Sequence, residues 1–262
     1  MSSLSDFASV HASGRNIVMV TAYDAWTARL LNDSPVDAIL VGDSLMMVAY
    51  GERDTLGATT EIMARHTRAV ANGAPNKFIV ADMPFLAARK GKAHALDCAA
   101  ELLRAGAHAV KLEGLRGHAE VIAHLVETGI PVMGHLGLTP QSVHAFGGFK
   151  VQAREAADAA RLREDAAALE ASGAFSVVLE CIPQKLAAEV TASISIPTIG
   201  IGAGAGCSGQ VLVTHDLLGC QPDFKPRFVR RFGDVGEVLK TGVAKFAKAV
   251  RDGSFPTNKE SF

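Results

Sequence analysis

The chain has 262 residues, 48% of them hydrophobic, with a formal net charge of -1. That length suits one large core, since an α/β barrel typically takes about 250 residues. A near-neutral chain offers no field to attract a polyanion, so nucleic acid is not an expected partner. Cys98, Cys181, Cys207 and Cys220 form no CxxC pair, which argues against a zinc site or disulfide framework and for a reducing compartment. The opening Met-Ser-Ser-Leu-Ser-Asp-Phe has no basic stretch followed by an apolar one, and no apolar run approaches the roughly 18 residues of a membrane helix. A cytoplasmic protein without a membrane partner is expected.

After a polar lead-in over residues 1–15, Ile17 to Ala22 reads as a first strand and Tyr23 to Leu31 as a helix. Ala38 to Gly42 is a second strand, followed by an irregular segment, Leu45 to Ala58, long enough to be functional. Thr59 to Asn72 has helical spacing, with Gly73 placed to end it in the left-handed conformation. Strands follow at Phe78 to Asp82, Ala109 to Glu113, Val132 to Gly134, Ser176 to Glu180, Thr198 to Ile201 and Gln210 to Thr214. Helices separate them at Ala93 to Arg104, Gly117 to Thr128, Glu155 to Ala171 and Gln184 to Thr191. Thr139-Pro140 is a favourable helix start, the hydroxyl capping a first turn in which proline needs no N–H. A last amphipathic helix is expected within Val229 to Val250. Buried runs alternating with glycine-terminated helices imply parallel strands joined by crossovers, and eight of them favour one closed (β/α)8 (TIM) barrel domain over residues 1–262.

The strands share an ending. Asp43 follows the second, Asp82 closes the third, Glu113 the fourth and Glu180 the sixth, while His135 follows Gly134. A parallel barrel carries its chemistry at the carboxyl ends of its strands, so these residues should converge at one mouth. Lys111 and Glu113 lie two apart and share a face, which points both into the barrel top.

Each has a plainer reading. A lone aspartate after a strand usually makes a turn or caps a helix. Three carboxylates together repel unless a cation or protons intervene, and an all-oxygen set suits a hard ion such as magnesium, which favours a metal site. Lys111 is either a counter-ion for Glu113 or a cation that holds a substrate carboxylate or enolate oxygen. His135 is more often a hydrogen-bonding residue than a catalyst. Glu180 is either a partly desolvated proton acceptor or a cap on the next helix. Gly204-Ala-Gly-Cys-Ser-Gly209 matches a dinucleotide fingerprint, but strand-like Gln-Val-Leu-Val follows where a helix is required, so a turn is expected instead. The basic runs Arg89 to Lys92 and Lys225 to Arg231 read as solvated surface, with an anion-tail contact the minority alternative.

The segments Thr-Ala-Tyr-Asp (21–24), Val-Gly-Asp-Ser-Leu (41–45), Ala-Asp-Met-Pro-Phe (81–85), Ala-Val-Lys-Leu-Glu-Gly (109–114), Val-Met-Gly-His-Leu-Gly-Leu-Thr-Pro-Gln-Ser (132–142), Leu-Glu-Cys-Ile-Pro (179–183) and Ile-Gly-Ile-Gly-Ala-Gly (199–204) cover nearly the whole chain. Together they resemble the ketopantoate (3-methyl-2-oxobutanoate) hydroxymethyltransferase family. The resemblance implies a barrel related to phosphoenolpyruvate mutase and isocitrate lyase. It also implies transfer of a one-carbon unit from 5,10-methylenetetrahydrofolate to 3-methyl-2-oxobutanoate, giving 2-dehydropantoate in pantothenate biosynthesis. By position it makes Asp43 and Asp82 magnesium ligands and Glu113 a third, acting through water. Asp43, Ser44, Asp82 and Lys111 would then contact the keto acid, and Glu180 would accept the proton; His135 is kept as a secondary substrate-binding residue on its position alone. A homo-oligomer, a decamer built from dimers, is implied too. The sequence departs from the family at Met46, Gly57, Ala153, Ser208 and the basic stretch Leu86 to Lys92; Met46 would narrow the substrate pocket. Two other readings are a carbon–carbon lyase or mutase of the same barrel type and a non-catalytic keto-acid-binding barrel.

Overall fold

The computed structural model describes residues 3–221 and 226–262. Eight parallel strands close on themselves in chain order: β1 (Ile17–Thr21), β2 (Ala38–Val41), β3 (Phe78–Asp82), β4 (Ala109–Glu113), β5 (Val132–Gly137), β6 (Ser176–Glu180), β7 (Thr198–Ile201) and β8 (Gly209–Leu212), with β8 pairing back onto β1. Helices α1 (Leu4–Ala12), α2 (Ala25–Asn32), α3 (Leu45–Val48), α4 (Thr60–Gly73), α5 (Lys92–Arg104), α6 (Ala119–Glu127), α7 (Val143–Phe146), α8 (Ala156–Ala171) and α9 (Gln184–Ser193) complete the first of two units into which the chain divides, Met1–Val213.

Local chemistry sets the boundaries. Ser3 and Asp6 form a capping box at α1, while Asp24 and Thr59 accept from the backbone N–H groups of Thr27 and Ile62 to start α2 and α4. Gly106, Gly129 and Gly173, at φ of 112°, 89° and 86°, end α5, α6 and α8 in a conformation that costs side-chain-bearing residues energy. Strands β2, β3 and β4 are mostly apolar and buried on both faces, as parallel strands sheathed by helices are.

Two apolar cores result. Met19, Leu40, Val80, Ala109, Met133, Val178, Ile199 and Val211 fill the barrel interior. Below them Phe7 of α1 packs against Phe78 and Phe175, with centroids 5.5 and 5.4 Å apart, and closes the amino-terminal end. The second core lies between strands and helices. Leu112 belongs to it, while Lys111, one residue earlier, points inward as its alternation requires. With the floor filled, only the carboxyl-terminal mouth is left for polar chemistry.

Several expectations are corrected. Gly73 does not leave the helix in the left-handed region; it is the last residue of α4, and an added Cβ would lie 2.6 Å from the Ala25 carbonyl. It is glycine because α2 and α4 touch there. Gly134 does not end β5, which runs on to Gly137; its missing Cβ makes room for Leu169 of α8. Thr139 makes no side-chain cap, and Pro140–Ser142 is a 3-10 turn ahead of the four-residue α7. The segment after β2 holds the short α3, with Met46 buried in the outer core. In the glycine-rich stretch before β8, Gly204 turns at φ 83° and no helix follows, as expected.

The second unit, Thr214–Phe262, contains α10 (Thr214–Leu217) and α11 (Val235–Arg251). Phe246 packs edge-on against Phe255 at 5.4 Å, and Arg231 donates to the Gln221 carbonyl. The amphipathic helix expected over 229–250 is α11 alone, starting six residues later. Lys225, in the second basic run, lies outside the described residues. Among the described residues no helix is long and apolar enough to cross a membrane.

Candidate active site at the barrel mouth

Strand register assembles the site. Asp82 is opposite Lys111 across β3 and β4, and Glu113 is opposite His135 across β4 and β5. The Asp43 amide, just beyond β2, donates to Asp82 Oδ2 at 3.0 Å. Lys111 Nζ lies 3.1 Å from Asp82 Oδ1 and 3.1 Å from His135 Nδ1. The far ring nitrogen, His135 Nε2, is 3.2 Å from Glu180 Oε2, and Nδ1 is 3.5 Å from Glu113 Oε1. Beside them Ser44 Oγ and the Tyr23 hydroxyl share a hydrogen bond of 2.8 Å. The predicted residues Asp43, Ser44, Asp82, Lys111, Glu113, His135 and Glu180 thus all come to this one end of the barrel.

Two of the plainer readings do not hold. Lys111 pairs with Asp82 rather than with Glu113. Glu180 caps nothing: Pro183 holds the N-cap position of α9, and the carboxylate turns to His135 instead.

Gln141 is the residue that sequence reasoning missed. Its backbone N–H donates to Glu113 Oε2 at 2.9 Å, and its side-chain amide donates to Asp43 Oδ2 at 2.8 Å and to the Met83 carbonyl at 3.0 Å. One glutamine therefore ties the ends of β2, β3 and β4 together from the turn after β5. Only its place in the quoted 132–142 segment hinted at it.

The charges do not balance. Four carboxylates, on Asp43, Asp82, Glu113 and Glu180, meet one lysine and one imidazole, and all but Glu180 are nearly sealed from solvent. Burial, then the neighbouring Asp82 and Glu113, hold the Asp43 carboxyl well above the usual carboxylate range. Burial raises Asp82 as well, with Lys111 opposing it. For Lys111, burial presses the pKa down, but Asp82, Glu113 and Asp43 outweigh it and raise the pKa above the ordinary lysine value. Burial and the Lys111 charge lower the His135 pKa, yet hydrogen bonding to Glu113 and Glu180 prevails and raises it to about 9.

A hard divalent cation fits this donor set. Asp82 Oδ1 and Glu113 Oε1 are buried without a well-directed hydrogen bond, although the first faces Lys111. Among the described residues no three His, Cys, Asp or Glu side chains are grouped to hold an ion by themselves. The fit is therefore to an ion that takes one or two carboxylates and leaves its other positions to water and substrate, as magnesium does.

A closed parallel barrel with carboxylates, a lysine and a histidine at its carboxyl-terminal mouth defines an α/β-barrel enzyme. Among solved structures of similar fold is 2,3-dimethylmalate lyase, a member of the PEP mutase/isocitrate lyase superfamily, with a TM-score of 0.62 and 16% identity, covering 100% of this chain and 92% of that one. Phosphonopyruvate hydrolase in complex with oxalate and magnesium matches at a TM-score of 0.62 and 15% identity, over 99% and 93% of the two chains. The sequence profile of ketopantoate hydroxymethyltransferase matches residues 2–258. The 3-methyl-2-oxobutanoate hydroxymethyltransferase of Bdellovibrio bacteriovorus is 48% identical over the full length of both chains. That of Coxiella burnetii is 51% identical over 96% of this chain and 95% of its own. The chain belongs to the ketopantoate hydroxymethyltransferase family, and its activity is that of a hydroxymethyltransferase.

Proposed function

We propose that the site removes the C3 proton of 3-methyl-2-oxobutanoate and joins the resulting enolate to the methylene group of 5,10-methylenetetrahydrofolate, giving 2-dehydropantoate. The observation that carries this is a buried lysine facing buried carboxylates at the mouth while a more accessible carboxylate, Glu180, stands across His135.

Asp43 and Asp82 would hold magnesium, with Glu113 acting through water; when bound, the ion would polarise the keto group and so acidify the adjacent C–H. Lys111, kept charged by its neighbours, supplies positive charge for the developing enolate oxygen. Ser44 and His135 line the substrate side. Glu180 accepts the C3 proton. The donor methylene is bonded to two nitrogens: one carbon–nitrogen bond opens to give the iminium carbon that the enolate attacks, and water displaces the second nitrogen. Water thus supplies the hydroxyl oxygen of the product, and tetrahydrofolate leaves with a proton on each nitrogen. The α3-containing segment after β2 keeps bulk water from the enolate. The chain would work as one barrel domain within a homo-oligomer in the cytoplasm.

The test is isotope exchange. The protein, magnesium and 3-methyl-2-oxobutanoate in deuterated water, without folate, should label C3 at a rate that falls when the metal is chelated. A non-catalytic keto-acid binder would leave that proton in place. A lyase or mutase would cleave or rearrange a 2-hydroxy or phosphono acid and show no folate-dependent turnover.

A further inference from the structure

Beside the acidic centre, an open cavity of about 480 Å³ lies between the turn after β4, the turn after β5 and the first half of α8. That size falls in the range that holds small organic ligands. Its wall combines guanidinium groups of Arg89, Arg116 and Arg161 with apolar Leu136, Phe146 and Leu162. Acidic residues already engage two of the arginines: Arg116 meets Glu164 and Asp165, and Arg161 lies 3.9 Å from Asp158. Arg89 differs. Its Nη1 donates to the Arg116 carbonyl at 3.1 Å, and among the described residues it pairs with no carboxylate.

The chain is shaped around that guanidinium. A Cβ on Gly114 would come within 3.6 Å of Arg89 Nη2, and one on Gly117 within 3.3 Å of Nη1. Both glycines have positive φ, so the turn they bracket accommodates Arg89 against bare backbone. One turn serves both places: Thr139 lines the cavity, and two residues on Gln141 donates to Asp43 and Glu113.

We infer that this cavity binds the benzoyl-glutamate part of the one-carbon donor, with a glutamyl carboxylate on Arg89 and the aromatic ring against Phe146 and Leu162. The inference rests on the proposed function, which requires a carrier to approach the enolate from outside the keto acid. A guanidinium with no carboxylate partner among the described residues, beside an apolar and aromatic wall, matches a ligand that is aromatic at one end and polyanionic at the other.

The probe is p-aminobenzoyl-glutamate, which has no transferable carbon, titrated by calorimetry at low ionic strength into the intact wild type, Arg89→Met and Phe146→Ala. Wild type should bind it. Arg89→Met should weaken binding about tenfold or more, the worth of one charge-assisted contact, and added salt should shrink that gap. In turnover assays Arg89→Met should raise the KM for 5,10-methylenetetrahydrofolate by a similar factor. The KM for the keto acid and the folate-free C3 exchange should stay at wild-type values. Absence of probe binding to wild type, or equal binding by all three proteins with an unchanged donor KM, overturns the assignment. Loss of C3 exchange in wild type would instead count against the proposed function, because probe binding is read without turnover.

Discussion

Lys111 and Asp82 are register partners across the β3–β4 seam, and their side chains meet at 3.1 Å in a part of the barrel from which solvent is almost excluded. A buried charge keeps its ionised form only if its partner stays. Removing one side of such a pair therefore costs more than the pair is worth in total. Lys111→Met should destabilise the protein by about 3 kcal/mol at neutral pH, read by urea unfolding, and should abolish turnover. Adding Asp82→Asn should restore most of the stability and none of the activity. A Lys111→Met protein as stable as wild type would mean that Asp82 is not ionised in the fold.

The imidazole next to this pair gives a pH signature. His135 has a folded pKa of about 9 against an ordinary value of 6.5, so the folded protein binds its proton more tightly than the unfolded chain does. Its contribution to stability is fully present below about pH 6.5 and is lost as pH rises through about 9. In metal-free protein, the stability advantage of wild type over His135→Gln should shrink across that window. An advantage independent of pH from 6 to 10 would contradict the assignment, as would a ring that titrates at its ordinary value by NMR.

Much of this was legible beforehand because a parallel strand buried on both faces is a nearly continuous apolar run, and the ionisable residue that ends it is conspicuous. Phe78–Asp82, Ala109–Glu113, Ser176–Glu180 and Thr198–Ile201 have the boundaries expected of them. Glycine was misleading where its use is steric. Gly73 and Gly134 sit inside regular elements, each making room for a side chain or backbone that only the folded chain brings near. Gln141 was hidden for a related reason: its partner Asp43 is 98 residues away, and no local pattern marks an amide that crosses the mouth. The pairing of Lys111 with Asp82 was likewise invisible, since spacing along β4 pointed to Glu113 whereas lateral register decides it.

Gln141 leads to a prediction about metal affinity. By holding Asp43 Oδ2 and Glu113 Oε2 at once, it fixes two acidic groups that would otherwise swing apart under mutual repulsion. Partners that orient ligating groups typically contribute about 10–100-fold in metal affinity or activity. Gln141→Ala should weaken magnesium binding within that range in calorimetry. The backbone N–H bond to Glu113 survives the substitution, so the loss should fall short of that for Asp43→Ala. Unchanged affinity would reduce Gln141 to a spacer.

Ala153, on the wall of the cavity beside Arg89, offers a test read by stability alone. It adopts φ 53°, while the preceding Gln152 N–H donates to the Cys181 carbonyl, just beyond Glu180. A side chain at positive φ costs about 1–2 kcal/mol, part of which glycine gives back through greater freedom when unfolded. Ala153→Gly should therefore stabilise the protein by about 0.5–1 kcal/mol, and Ala153→Val should destabilise it. Glycine is also the residue that the family resemblance leads one to expect here. A loss of stability in Ala153→Gly would show that the methyl group packs well enough to outweigh the backbone cost.

Glu180 is the mouth carboxylate that solvent can reach: its side chain keeps 16% of its exposure, against 4% for Asp82 and 5% for Glu113. A group that takes a proton from a bound substrate must face that substrate, whereas a group that holds a metal or a lysine is better shut in. His135 Nε2, 3.2 Å away, holds the carboxylate from behind. Glu180→Gln keeps the size and one oxygen but cannot accept the C3 proton. Turnover and folate-free C3 exchange should both fall by about 10²–10⁴-fold, the usual contribution of a general base, with the keto-acid KM nearly unchanged. Parallel loss of the two readouts separates proton abstraction from carbon transfer, because exchange needs no donor. Should KM rise while turnover and exchange persist, Glu180 binds the substrate, and another group at the mouth takes the proton.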